Sequence, residues 1–195
     1  MKYVKWFKCR TDDFSESDFN RSVSLMTAKR KERINRITHK NTLLCTVLGE
    51  WLAKKELSTY CNLPIEDFCF SYTEFGKPYL KNLPIHFNIS HSGDWVAVAI
   101  DENPVGIDIE VIRPIDFSVT SRLCTESDME YIFKNDPDRN NQNPDTLRRF
   151  FEVWTAKEAY FKKIGTGITN LKSVSYSELN PIHFYEDNSV ITIIN

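Results

Sequence analysis

Asp108 and Glu110 stand two residues apart in "VGIDIE", residues 105 to 110. On a strand that spacing puts both carboxylates on one face, with Ile107 and Ile109 on the other. Neighbouring carboxylates repel, and burying them is costly unless a cation compensates. Hard oxygen donors at this spacing suit Mg²⁺, which takes a few carboxylates, waters and substrate phosphates. The same alternation also fits a strand whose polar face meets solvent. Gly106 weakens the strand just before the pair, which predicts a close approach there.

Lys157, Glu158 and Lys162 form a second group in "FFEVWTAKEAYFKKIG". Glu158 and Lys162 are four apart and share a helix face. Such a pair is common on protein surfaces, yet the aromatic content of this segment predicts a packed helix. Near the Asp108–Glu110 face, these groups would supply a third metal ligand and an ammonium that handles a proton or neutralises phosphate. Glu152 lies six residues before Glu158, on a different face.

Ser90 and His91, in "NISHSG", sit at a strand end where a histidine can donate to phosphate. A satisfied structural histidine is the plainer alternative for His91. The Ser-His order does not make a nucleophilic triad, because no GxSxG occurs and adjacent strand residues point apart. Lys77 stands in a Gly-Lys-Pro turn that could fix its direction. With Lys31, Arg33 or Arg36 it could bind a peripheral phosphate, or each could be a plain surface base.

The elements that must position these groups follow from periodicity. Residues 1 to 9 read as a strand and "SESDFN" as an acidic turn or cap. A helical pattern runs from about Thr27 to Ser58, with 38 to 41 as a candidate break. "NLPIEDFCFSYTEFGKPYL" is strand and turn material. "IHFNIS", the turn "HSGD" and "WVAVAI" follow as two strands. "DENP" turns the chain into the "VGIDIEVI" strand. A loop and a short helix capped by Thr125 or Ser127 come next. Residues 134 to 145, "KNDPDRNNQNPD", are the most polar stretch and the candidate mobile loop. The long helix from Thr146 carries an apolar stripe of Phe150, Phe151, Trp154, Tyr160 and Phe161, and Gly165 ends it. "SVSYS" and "SVITIIN" read as short strands. The order suggests two similar α+β halves joined near 101 to 104, although no sequence repeat supports duplication.

Composition sets wider bounds. The chain has 195 residues, 41% hydrophobic and 27% charged, with a net charge of -2, so nothing drives it globally toward nucleic acid or membrane. Charge is nonetheless uneven. Residues 29 to 40 hold six Lys or Arg against one acid, and residues 101 to 158 hold thirteen acids against seven bases. That polarity suits a substrate with phosphate at one end and metal-bound phosphate at the other, or equally a solvated helix face and acidic loops. The five cysteines form no CxxC pair and read as free thiols of a reducing compartment. Neither a signal peptide nor a membrane span is indicated. There is no Walker A, no HExxH and no DNA-reading module.

Three blocks in order, "FGKPYL…HFNISHSGDWVAVAI", "VGIDIE" and "FFEVWTAKEAYFKKIGTGI", resemble the 4'-phosphopantetheinyl transferase superfamily. The closer resemblance is to its larger two-domain, surfactin-synthetase-activating type, and it spans about residues 29 to 168. The WTxKEAYxK core is its most specific part. The resemblance implies transfer of 4'-phosphopantetheine from coenzyme A to a serine of an apo acyl or peptidyl carrier protein, with Mg²⁺, releasing adenosine 3',5'-bisphosphate. It implies an α+β fold of two pseudo-symmetric subdomains, 1–102 and 103–195, each a small antiparallel sheet packed on helices, with the active site in the cleft between. By motif, Asp108, Glu110 and Glu158 resemble the Mg²⁺ ligands, and Glu158 and Lys162 the catalytic pair. Lys77, Ser90, His91 and Lys157 match coenzyme A contacts. The stretch with Arg30, Lys31 and Arg36 matches the grip on 3'-phosphate and adenine. A cytoplasmic monomer is expected. The alternative is a catalytically weak paralogue that binds coenzyme A or a carrier protein. Two departures stand out. Asn41, in "HKNTLLC", replaces an arginine of many relatives, and the tail is shorter than in fuller members. Glu126 matches only marginally.

Overall fold

The structure, a computed structural model, describes residues 3–8, 15–134, 138–139 and 142–195. The chain divides into two compact units, Met1–Val105 and Gly106–Asn195. Both are α+β, with a three-stranded antiparallel sheet packed against helices.

The first unit starts with β1 (Tyr3–Lys8) and three helices, α1 (Glu16–Ser24), α2 (Ala28–Ile34) and α3 (Lys40–Cys61). "SESDFN" is therefore more than a turn: Ser15 accepts from the Asp18 N–H at 3.1 Å and opens α1. The expected helix break falls at 35–39, between α2 and α3. The hairpin β2 (Phe70–Tyr72) and β3 (Pro78–Leu80) follows, then β4 (His86–Ser92) and β5 (Trp95–Asp101). The sheet order is β1-β5-β4, so β5 is central, and all seven of its residues are buried. That explains its uninterrupted apolar run. His91 and Ser92 belong to the strand, and the turn is only Gly93-Asp94, with Gly93 at φ 55°. The core between α3 and the strands is built on Ala53, Leu57, Phe68, Phe70, Phe87 and Ile100.

The second unit starts with β6 (Gly106–Val111), then α4 (Thr120–Leu123), α5 (Glu126–Phe133) and α6 (Pro144–Ile164), and ends in the hairpin β7 (Ile182–Glu186) and β8 (Ser189–Ile194). Its sheet order is β6-β8-β7. Helix α6 is well punctuated. Asn143 accepts from the Thr146 N–H at 2.8 Å, Pro144 fills the first turn, and Gly165 at φ 76° ends it. Its buried face, with Phe150 and Phe151, joins Phe117, Ile132, Phe133 and Val190 in one core.

The expected strand "SVSYS" is not one. Residues 171–173 and 176–178 form 3-10 turns. The Ser175 N–H donates to Glu178 Oε2 at 2.8 Å and the Tyr176 N–H to Asp128 Oδ1 at 2.7 Å, so side-chain bonds claim the backbone that a ladder would need. The strand lies at 182–186 instead. Residues 135–137 and 140–141 of the candidate mobile loop, and Cys9, fall outside the described residues. Cys45, Cys61, Cys69 and Cys124 are free thiols.

Candidate active site

The carboxylates of β6 are held by an unusually close contact. A Cβ on Gly106 would lie 1.8 Å from the Ala159 carbonyl oxygen and 2.7 Å from the Lys163 nitrogen, both backbone atoms of α6. Only glycine lets the strand meet the helix there. The approach anticipated at Gly106 is thus made by α6. It fixes the register that brings Lys162, three residues beyond Ala159, to Asp108 two residues beyond Gly106.

The polar cluster that results is partly desolvated. Asp108 is 2% exposed. Lys162 Nζ donates to Asp108 Oδ1 and lies 3.7 Å from Glu158 Oε2. Arg113 Nη1 donates to Glu110 Oε2 at 3.0 Å. Burial, with Asp108 and Glu110 adding repulsion, pushes the Glu158 carboxyl up to about 7 although Lys162 pulls it down. Burial would lower the Lys162 ammonium, but Asp108 and Glu158 outweigh it and hold it above its ordinary value. Three carboxylates of hard-oxygen type, contributed by one strand and one helix, fit a divalent cation chemically. Among the described residues, no group of three or more His, Cys, Asp or Glu is arranged to hold a metal ion. In the structure the ammonium of Lys162 meets two of the three carboxylates.

Lys157 goes elsewhere. It is 1% exposed, donates to the Leu123 carbonyl at 3.0 Å and forms an ion pair with Asp128. Burial raises the Asp128 carboxyl, but Lys157 and the N–H groups of Tyr176 and Thr125 outweigh it and hold it low. A diphosphate contact by Lys157 would require it to leave this pair, so its geometry is that of an interior strut. Glu152 is likewise internal, accepting from Tyr131 and Tyr185 hydroxyls at 2.6 Å each. Glu126 is exposed in the first turn of α5.

In the first unit a cavity of about 340 Å³ is lined by Arg30 and Arg33 of α2, Thr46 and Glu50 of α3, Tyr72, the Gly76 and Pro78 turn, and His91, among others. Arg30 is wedged. Its Nε donates to Glu50 Oε2 at 3.3 Å, and its guanidinium lies 5.3 Å over the Tyr72 ring. Burial pushes the Glu50 carboxyl up, against the pull of Arg30. Arg33 lies on Gly76, where a Cβ would come within 2.7 Å of its Nη1, and Gly76 also takes φ 84°. The turn is tied by Gly76 N–H to the Thr73 carbonyl at 3.0 Å and Lys77 N–H to Thr73 Oγ1 at 3.1 Å. Burial lowers the Lys77 ammonium to about 8.

Some expected groups are not brought to this cavity. Lys31 reaches back to the Ser24 carbonyl at 3.4 Å, and neither Lys31 nor Arg36 lines it. One helical turn explains the choice: Arg30 and Arg33 are three apart and share a face, and Lys31 is rotated off it. Ser90 is 4% exposed on the other face of β4 from Ile89 and His91, because neighbours on a strand alternate. Asn41 has a structural part. Its amide donates to the Gly93 carbonyl at 3.1 Å and to Asp94 Oδ1 at 3.2 Å, holding the β4–β5 turn. Glu50, Tyr72, Arg113 and Asp128 were not singled out from sequence. Glu50 and Asp128 lacked a signal because their basic partners are 20 and 29 residues away.

Comparison with known proteins agrees with this division. The model described as 4'-phosphopantetheinyl transferase, N-terminal, matches residues 13–103, and that of the 4'-phosphopantetheinyl transferase superfamily matches 104–192. The 4'-phosphopantetheinyl transferase ffp of Bacillus subtilis is 33% identical over 177 residues, covering 90% of this chain and 74% of the relative. The 4'-phosphopantetheinyl transferase gsp of Aneurinibacillus migulanus is 39% identical over 150 residues, covering 77% of this chain and 60% of its own length. The 4'-phosphopantetheinyl transferase AcpT of Escherichia coli K12 is 34% identical over 154 residues, 73% of each chain. With its two-unit α+β fold and family matches over residues 13–192, the chain belongs to the 4'-phosphopantetheinyl transferase superfamily.

Proposed function

We propose that this protein transfers the 4'-phosphopantetheine group of coenzyme A to a serine hydroxyl of an apo acyl or peptidyl carrier protein, as a cytoplasmic, monomeric enzyme of the surfactin-synthetase-activating type. The observation that carries the reading is the convergence of Asp108, Glu158 and Lys162 from β6 and α6. Asp108, Glu110 and Glu158 would hold Mg²⁺, which when bound neutralises diphosphate oxygens. The adenosine end of coenzyme A suits the first unit's cavity, where Arg30, Arg33 and His91 offer donors to the 3'-phosphate. Lys77, on the turn that supplies Gly76 and Pro78 to that cavity, is assigned a contact with the same cosubstrate.

In the reaction the serine oxygen forms a bond to the phosphorus that carries the pantetheine. The bond from that phosphorus to the bridging oxygen breaks, and adenosine 3',5'-bisphosphate leaves with the electron pair. Glu158 would take the serine proton through a water, because coordination to the metal would weaken it as a direct base. Lys162 then neutralises or protonates the departing bisphosphate. Lys157 is assigned to support of α6 rather than to coenzyme A, and Ser90 to the sheet. The test is incubation of the full chain with coenzyme A, Mg²⁺ and an apo carrier protein, followed by intact-mass measurement. The carrier should gain one phosphopantetheine group, and a chelator should stop it. Several apo carriers left unmodified would overturn the proposal.

A further inference from the structure

Each carboxylate of the β6–α6 cluster has a basic partner supplied by the same unit. Lys162 serves Asp108 and Glu158, and Arg113 serves Glu110. The two bases differ in how they are held. Lys162 is a 25% exposed side chain on α6, the helix locked to β6 at Gly106. Arg113 is 56% exposed, donates also to the Val111 carbonyl at 2.9 Å, and lies 5.4 Å over the Phe151 ring.

A divalent cation on these oxygens would meet the Lys162 ammonium on the same atoms. Two cations cannot share Asp108 and Glu158 at contact distance without strong repulsion, because the site is largely withdrawn from water. The exposed Arg113 pair is weakened by solvent and can swing away at little cost. We propose that Lys162 is the resident counter-cation of the carboxylate cluster, and that a divalent metal enters by exchange with its ammonium. The inference rests on the metal assignment above. One event then fills the site and frees Lys162, so the lysine meets the diphosphate only in a protein that is ready to act. Before that event the same lysine keeps the Asp108 and Glu158 carboxylates from forcing β6 and α6 apart. It is a positioning residue in the metal-free protein, separate from any part it plays in transfer.

The test uses the full chain without coenzyme A. Mn²⁺ binding is followed by electron paramagnetic resonance of the free ion, and thermal unfolding is recorded in chelator and in saturating Mn²⁺. Relative to the parent protein, Lys162→Met should unfold at lower temperature in chelator and bind Mn²⁺ on the order of tenfold more tightly. Its Mn²⁺-induced rise in Tm should be larger, because the metal repairs what the lysine held. Arg113→Ala should change Mn²⁺ affinity by less than about threefold. Folding of Lys162→Met only when Mn²⁺ is present would also support exchange. If that variant fails to fold even with Mn²⁺, Lys162→Gln is read by the same criteria. Unchanged or weaker Mn²⁺ binding in the folded variant, with normal binding in the parent, overturns exchange and leaves the metal assignment standing. Absence of Mn²⁺ binding in the parent overturns both.

Discussion

Each unit threads its chain alike: an opening strand, a long helix, then a hairpin whose second strand pairs with both of the others. Each long helix carries a buried lysine that donates to a leucine carbonyl, Lys54 to Leu25 at 2.8 Å and Lys157 to Leu123 at 3.0 Å. The units differ in which strand the helix presses. Helix α3 packs on β4 and β5, and a Cβ on its Gly49 would lie 2.9 Å from Ile89 Cγ2. Helix α6 packs on β6 and β8, with Gly106 on the strand giving way. In each case the candidate site residue stands two positions from the contact, His91 after Ile89 and Asp108 after Gly106. One framework therefore offers two places for chemistry, and in each the candidate residue lies beside the closest helix–strand contact. The side chains then set its sign, basic around the first cavity and acidic on β6.

The two helix–strand contacts differ most at their glycines. Gly106→Ala should cost more than about 3 kcal/mol and unfold the second unit, because the obstacle is helix backbone that cannot step aside. Gly49→Ala meets side chains rather than backbone, Ile89 Cγ2 at 2.9 Å and Val96 Cγ1 at 3.7 Å, and gains helix propensity, so thermal unfolding should show a smaller net cost of about 1 to 2 kcal/mol. Near-equal costs would refute the reading of the two contacts. Next come the lysines. Lys157→Met strands the buried Asp128 carboxylate and should cost about 3 to 5 kcal/mol in denaturant titration. Lys54→Met chiefly gives up a carbonyl bond, at about 1 to 2 kcal/mol.

A smaller effect lies in pH. The Glu158 carboxyl is raised from 4.5 to about 7, so the folded state binds its proton more tightly than the unfolded chain. That contribution is complete below about 4.5 and is lost as pH rises through about 7, which makes stability fall across this window in chelator. Glu158→Gln should flatten the fall, as measured by urea midpoints at several pH values. An unchanged slope would place the titration elsewhere. Least of all should Lys31→Ala and Arg36→Ala matter: each should leave the KM for coenzyme A within about twofold, while Arg30→Ala raises it about tenfold.

Legibility from sequence was uneven, for physical reasons. The β6 pair, the long helix and its closing Gly165 announce themselves through period and punctuation, which are local, whereas its opening cap Asn143 falls in the stretch read as a mobile loop. The doubled α+β pattern is visible too, yet sequence carries no repeat, because the shared topology is filled by different side chains. Arg30 and Arg33 share one helical face and Arg36 falls past the end of α2, but which face lines the cavity is set by packing that sequence does not show. The 3-10 turns at 171–178 were not readable as such, since they depend on Asp128, distant in the chain. The same distance hides the Lys157 pair: its spacing matches the family motif, and only packing reveals where its ammonium goes.

Steady-state transfer kinetics of Arg33→Ala and Asp108→Asn, measured side by side on one apo carrier protein, test the division of labour most directly. Arg33→Ala should raise the KM for coenzyme A about tenfold with kcat nearly unchanged. Asp108→Asn should lower kcat by about 100-fold or more while the fold persists. Both variants altering the same kinetic constant, or Asp108→Asn transferring at the parent rate, would contradict that division.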